Sequence, residues 1–247
     1  MRIACDADEA RKSRGINLVV DLFRFSCTVA CLLESGKKNI EIFSNPDLAA
    51  ARYRTLKNAE LFSEMALPVS GQFDNSPYKV MTASDPAKTA VVVTCSGAKA
   101  VMNSVNAGEI VIGGFHNLNY VVEYLKKREE EILLVPACVF YDRKHVEDFI
   151  ACEAFYSVLT QPPERLPGAG IKLLPRFAGC SGGWVTGWGK PEDFMLKIHD
   201  TPRILELMGV KPETAKDDLE LIMKIGNIGA VPRAVIRGVY ASVENAL

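Results

Sequence analysis

The chain has no excess of positive charge: 29 lysines and arginines stand against 30 aspartates and glutamates, a formal charge of -1 over 247 residues. Such a balance offers no field for gathering a polyanion or holding an anionic membrane, and nucleic acid is not expected as a partner. Long apolar runs are missing as well. No uninterrupted stretch reaches the roughly 18 residues of a spanning helix, and acids at Asp6 and Asp8 stand where a signal peptide needs an apolar stretch. Neither membrane insertion nor export is therefore expected. Histidine is scarce, and His116, His145 and His199 make no H-x-x-x-H or H-E-x-x-H spacing, which disfavours a zinc hydrolase. There is no C-x-x-C pair and no G-x-x-x-x-G-K-[ST] phosphate loop. Ser96 has no G-x-S-x-G context, so it is not read as a hydrolase nucleophile.

What is present is globular: 48% hydrophobic and 24% charged residues can bury a large core. The seven cysteines are odd in number, and Cys138 sits inside an apolar run. Cys27 and Cys31, at i and i+4, read as small core residues on one helix face, not as a metal pair. Reduced thiols and no export signal point to the cytoplasm.

Residues 17–22 form a short apolar run, followed by helical spacing over 25–35 that stops at Gly36. Residues 39–43 alternate like a strand, and 46–57 read as a helix with Asn45 as its N-cap. After a turn-rich loop at 70–78, strands at 90–93, 109–112 and 132–137 each run through a small polar or glycine-rich turn into a helix: 98–106, 119–127 and 146–159. Strand, turn, helix units repeating every 20 to 30 residues predict an α/β sheet covered on both faces, in a single compact domain, with ligands at the strands' carboxyl ends. Between 161 and 193 the character changes. Pro162, Pro163, Pro167 and Pro175 mix with glycines and with Phe177, Trp184 and Trp188, which reads as an ordered insertion or lid. Two short helices, 202–210 and 215–225, precede an apolar end at 231–239.

Four post-strand clusters carry the chemistry. Asp21 with Arg24 suits a metal ligand and a fork for two anionic oxygens, although a local ion pair accounts for the same letters. Asp74-Asn75-Ser76-Pro77 sets a carboxylate, an amide and a hydroxyl side by side in a loop stiffened by proline, and Asx-type turns do the same without a ligand. Thr94-Cys95-Ser96-Gly97-Ala98-Lys99 offers hydroxyls and turn amides to an anion, or is a plain strand-to-helix turn. Glu147-Asp148, near a helix start, serves magnesium or merely the helix dipole. Glu64 is a further candidate acid, and His116 sits where it can assist protonation or simply be hydrogen-bonded. A haloacid-dehalogenase-type phosphatase is an alternative, with Asp6 as nucleophile and Asp217-Asp218 as its acidic pair. A non-catalytic anion-binding protein on the same scaffold is another.

In order, VVDLFRFSCT, SGQFDNSP, TCSGAKA, GGFHN and HVEDFIACEA resemble the successive signatures of the 2-phosphosulfolactate phosphatases, and DLELIMKIGNIGAVP near the end extends the likeness. The resemblance implies a three-layer α/β/α fold with a mixed central sheet. It also implies magnesium-dependent hydrolysis of 2-phosphosulfolactate, or a related small phospho-hydroxyacid, to the hydroxyacid and phosphate in coenzyme M biosynthesis. Carried over by position, it expects catalysis from Asp21, Arg24, Glu147 and Asp148, substrate binding by Asn75, Ser76, Thr94, Ser96, Gly97 and Asn117, and metal binding by Asp21, Glu64 and Asp148. Its expected partner is a small anionic phosphoester and, by analogy with similar folds, a second copy of the chain. The third loop departs from the family's T-x-N-G-T: Ser96 and Ala98 replace an asparagine and a threonine.

Overall fold

The computed structural model describes residues 1–142, 144–160, 189–199, 201–210 and 213–247, and the backbone alone at 172–173 and 185–186. Most of the 161–193 stretch read as an insertion or lid thus lies outside the described residues. In chain order the elements are β1 (Arg2–Ile3), α1 (Ala7–Lys12), β2 (Ile16–Val20), α2 (Phe25–Glu34), β3 (Ile40–Phe43), α3 (Pro46–Thr55) and β4 (Ala59–Ser63). Next come α4 (Pro77–Ala83), β5 (Thr89–Val93), α5 (Gly97–Asn103), β6 (Glu109–Gly113), α6 (Leu118–Leu125), β7 (Ile132–Pro136) and α7 (Glu147–Thr160). The last are β8 (Lys172–Leu173), β9 (Val185–Thr186), α8 (Pro191–His199), α9 (Pro202–Val210), α10 (Ala215–Ile222), β10 (Pro232–Arg237) and β11 (Tyr240–Asn245).

Local chemistry fixes these boundaries. Asn45 Oδ1 accepts from the amides of Asp47 and Leu48 ahead of Pro46, a proline at the first helical position of α3. Gly36 closes α2 at φ +86°, where a side chain would be strained. The apolar end at 231–239 is two strands, β10 and β11, folded back through Gly238 at φ +72°.

Nine strands form one mixed sheet in the order β1-β7-β2-β6-β10-β11-β3-β5-β4, flanked by helices as an α/β/α layering. Strands β1, β7, β2 and β6 are mutually parallel, as are β3, β5 and β4. Between them lie three successive antiparallel pairings, β6 with β10, β10 with β11, and β11 with β3, so the two parallel blocks run in opposite directions. Each step of a twisted sheet turns by about 20–25°, and five steps separate β2 from β5, a rotation of roughly 100–125°. That twist lets the carboxyl ends of both blocks reach one place.

Register aligns those ends within each block. Val20 pairs with Gly113 on one side and Pro136 on the other, so the turns after β2, β6 and β7 share an edge. Val93 lies between Phe43 and Ser63, which sets Glu64 beside Thr94. The core runs along these strands: Leu18, Val19, Val20, Val91, Val92 and Val93 are fully buried, and α2 buries every residue from Phe25 to Leu32.

Candidate active site

Asp148 joins two of the turns. Its Oδ1 accepts from the Leu22 amide at 2.8 Å and its Oδ2 from the Cys138 amide at 2.9 Å, so one buried carboxylate ties α7 to the loops after β2 and β7. Burial pushes its pKa well up, and the charges of Asp21 and Glu147 push the same way. Asp21 ends β2. Ser96 donates to its Oδ2 at 2.6 Å across the gap between the two strand blocks, and the amides of Phe25 and Gly97 point at the same carboxylate. Burial still raises its pKa over these opposing bonds.

The turn after β5 is built for anions, as its letters suggest, and the anions it holds here belong to the protein. The Cys95 amide donates to Glu64 Oε1, the Gly97 amide faces Asp21, and the Ala98 amide is taken by Thr94 Oγ1 at 3.0 Å. Gly97 has no substitute at this spot: a Cβ would stand 2.2 Å from Phe25 Cδ1 and 2.7 Å from Asp21 Oδ2. The pKa of Glu64 is raised by burial and then by Asp21. Burial, assisted by Glu64, pushes the Cys95 thiol up to about 11, so it is not a thiolate at neutral pH.

These groups surround a cavity of about 240 Å³ that Asp21, Glu64, Cys95, Ser96, Glu147 and Asp148 line. Asp142, His145, Arg203 and Glu206 also face it. Glu147 Oε2 is buried with no hydrogen-bond partner among the described residues, and burial lifts the Glu147 pKa to about 7, against the pull of its own amide and of Arg203. A larger cavity of about 470 Å³ lies at the opposite, amino-terminal ends of β2 and β6. Of its charged side chains Arg233 pairs with Glu109 and with Glu244 and Arg128 pairs with Glu109, and ligands of such sheets bind at the carboxyl ends.

Other residues singled out in the sequence frame the cavity without lining it. Arg24 is close enough to lower the Glu64 pKa, yet its Nη1 is held by Asp218 at 2.8 Å and Asp74 at 3.2 Å. Ser76 Oγ donates to Asp218 at 2.6 Å and accepts from the Lys79 amide, capping α4. Thr28 Oγ1 donates to the Asn75 carbonyl at 3.0 Å, and the Asn75 side-chain amide is buried without a hydrogen-bond partner. Asn117 accepts from the Gly114 amide and donates to the Ala230 carbonyl at 3.0 Å each, a turn clamp. His116 is fully buried, and burial drops its pKa to about 3, so it is a neutral core imidazole. Asp6 accepts from the Glu9 amide and caps α1, and it too is absent from the cavity.

Hard carboxylate oxygens on neighbouring loops, their pKa values raised chiefly by burial, are donors that a divalent cation of the magnesium type accepts. Among the described residues, no three acid, histidine or cysteine side chains stand together as a preformed ion cage. Magnesium needs none, because it typically binds one or two carboxylates and takes its other ligands from water and phosphate. The donor set fits.

Fold and site together define an α/β/α protein with an acid-lined small-molecule cavity where the carboxyl ends of two strand blocks meet. The chain belongs to the 2-phosphosulpholactate phosphatase family, whose model matches residues 3–179. It is 27% identical over 139 residues to a probable 2-phosphosulfolactate phosphatase of Thermoplasma volcanium, covering 56% of this chain and 64% of that protein. The similarly described protein of Clostridium acetobutylicum is 26% identical over 150 residues, 60% and 63% of the two chains. That of Thermotoga petrophila is 30% identical over 139, 56% and 59%. The chain thus matches somewhat under two thirds of these relatives' own length. The family match ends before α8, so Arg203, Glu206 and Asp218, and the 218–232 stretch in which the sequence likeness was also read, lie beyond it. The sequence offered no signal for Arg203, a lone arginine after a proline; His145 was legible only as a neighbour of Glu147.

Proposed function

We propose that the chain is a cytoplasmic phosphoric monoester hydrolase that converts 2-phosphosulfolactate, or a related small phospho-hydroxyacid, to the hydroxyacid and phosphate. The observation that carries this reading is the convergence of Asp21, Glu64, Glu147 and Asp148 with Ser96 on one cavity of about 240 Å³, in a member of this family. The volume suits a small ester and is too little for a segment of phosphoprotein. Magnesium, held by Asp21, Glu64 and Asp148, would supply charge stabilisation at the phosphoryl oxygens.

The chain's own groups do the rest. Asp21 and Glu64 are fixed by Ser96 and by the turn amides, so they need no reorganisation when substrate arrives. Glu147, with a pKa near 7 and a free oxygen, is the proton donor to the departing hydroxyl oxygen. A water oxygen bonds to phosphorus as the ester P–O bond breaks. The Glu147 proton goes to the hydroxyacid, and the proton shed by the water restores Glu147 through solvent. A loose phosphoryl-transfer transition state asks little of a base. Cys95, a thiol at neutral pH, is not a nucleophile here. Phosphate release across a panel of phosphorylated small acids, with and without magnesium, tests the proposal; folded protein that releases none from any of them would sink it.

A further inference from the structure

Twelve residues line the active-site cavity, and six of them are acids: Asp21, Glu64, Asp142, Glu147, Asp148 and Glu206. Against them stands one guanidinium, that of Arg203, with no other lysine or arginine among the described lining residues. A phosphoester that carries a second acid group brings more negative charge into this space. Magnesium answers for the phosphoryl end. Something else must answer for the tail.

Arg203 lies on α9 and lines the cavity with its side chain mostly buried. Its Nη1 donates to Glu206 Oε2 at 2.6 Å, one turn along α9, and Glu206 is 54% exposed. Its Nε lies 3.8 Å from Glu147 Oε1, too far for a hydrogen bond, and is buried with no hydrogen-bond partner among the described residues. A buried guanidinium donor without an acceptor keeps its full desolvation cost, and no described residue accepts from it. A solvent-facing i,i+3 pair such as Arg203 with Glu206 is weak, so it orients the fork yet yields readily to a desolvated ligand. The acids bonded to backbone amides, Asp148 and Glu64, line the same cavity as Arg203. A substrate whose phosphoryl group meets those acids finds in Arg203 the one described cationic side chain of the lining for its second acid group.

Resting on the phosphatase reading above, we propose that Arg203 anchors the substrate's second acid group, a sulfonate or carboxylate, through its free Nε edge, and so sets specificity for acid-tailed phosphoesters. The residue lies on α9, beyond the stretch that the family model matches, as does Glu206. A planar fork matches two oxygens of a carboxylate or sulfonate; a lysine ammonium keeps the charge without that geometry.

The test compares wild type, R203M and R203K on 2-phosphosulfolactate and on isopropyl phosphate, which has no acid tail, with calorimetric titration of sulfolactate alongside. Thermal unfolding certifies that each variant is folded. In R203M, kcat/KM for 2-phosphosulfolactate should fall about 10- to 100-fold more than for isopropyl phosphate, mainly through KM, and sulfolactate should bind correspondingly weaker. R203K should lie between. Equal losses on both esters, or sulfolactate binding as tight in R203K as in wild type, would overturn the anchor, as would wild type that does not bind sulfolactate. Binding that depends on Arg203 in a protein without turnover would sink hydrolysis and leave the anchor standing.

Discussion

A carboxylate that holds its proton to about pH 7 is held there by burial, and Glu147 shows what that implies for stability. Its folded pKa lies above the unfolded value of 4.5, so between those two values the folded chain binds a proton that the unfolded chain has released. Stability from this group is therefore complete below about pH 4.5 and is lost as pH rises through 7. E147Q removes the ionisation. At pH 8 it should be more stable than wild type by on the order of 1–3 kcal/mol, a difference that vanishes near pH 4.5, while phosphate release falls at least about 100-fold. Denaturant titrations at the two pH values check the first part; a variant less stable than wild type at pH 8 would contradict it.

Among elements, a buried cluster of charges joins α2 to α10 and to the loop before α4. Arg24 at the head of α2 and Asp218 on α10 have side chains 6% and 0% exposed, and Asp218 also accepts from Ser76 Oγ and the Tyr78 amide at the start of α4. Removing Arg24 strands the Asp218 charge in the interior, whereas removing the Asp218 charge leaves Arg24 with Asp74 at 3.2 Å. R24M should cost on the order of 3–5 kcal/mol by urea unfolding and D218N less; a loss under about 1 kcal/mol in R24M would show that the pair is incidental. Arg24 also marks the limit of what the letters could say. Its place after β2 was legible from the run at 17–22, as were the strands around it, because buried parallel strands read as apolar blocks between turn signals. Its partner was not, since Asp218 is 194 positions away and no local pattern joins them. The strand Ala59–Ser63 escaped for a different reason: a glutamate, Glu60, stands in its middle and is neutralised by Lys37 at 2.9 Å, a contact of the fold and not of the segment. The turn after β5 was legible as an anion turn but not in what it binds, because its occupants Glu64 and Asp21 arrive from other strands.

At the scale of the whole molecule, four acids with raised pKa values share one cavity, and relief of their repulsion by a cation should be visible without any turnover. Protons compete for the same oxygens. Magnesium at about 100 times its Kd should raise Tm by roughly 5–10 °C at pH 8 and clearly less at pH 5, and chelation should reverse the gain. No shift at either pH would remove the metal from the account. Both of the oppositely directed strand blocks contribute to the cavity: Asp21, Glu147 and Asp148 come from one, Glu64 and Ser96 from the other.

The most direct test is steady-state phosphate release from 2-phosphosulfolactate by folded wild type and D21N in magnesium. Many turnovers per chain in wild type, with a loss of at least about 100-fold in D21N, is the predicted result. Folded wild-type protein that releases no phosphate, or D21N turning over as fast as wild type, would contradict the assignment of this cavity.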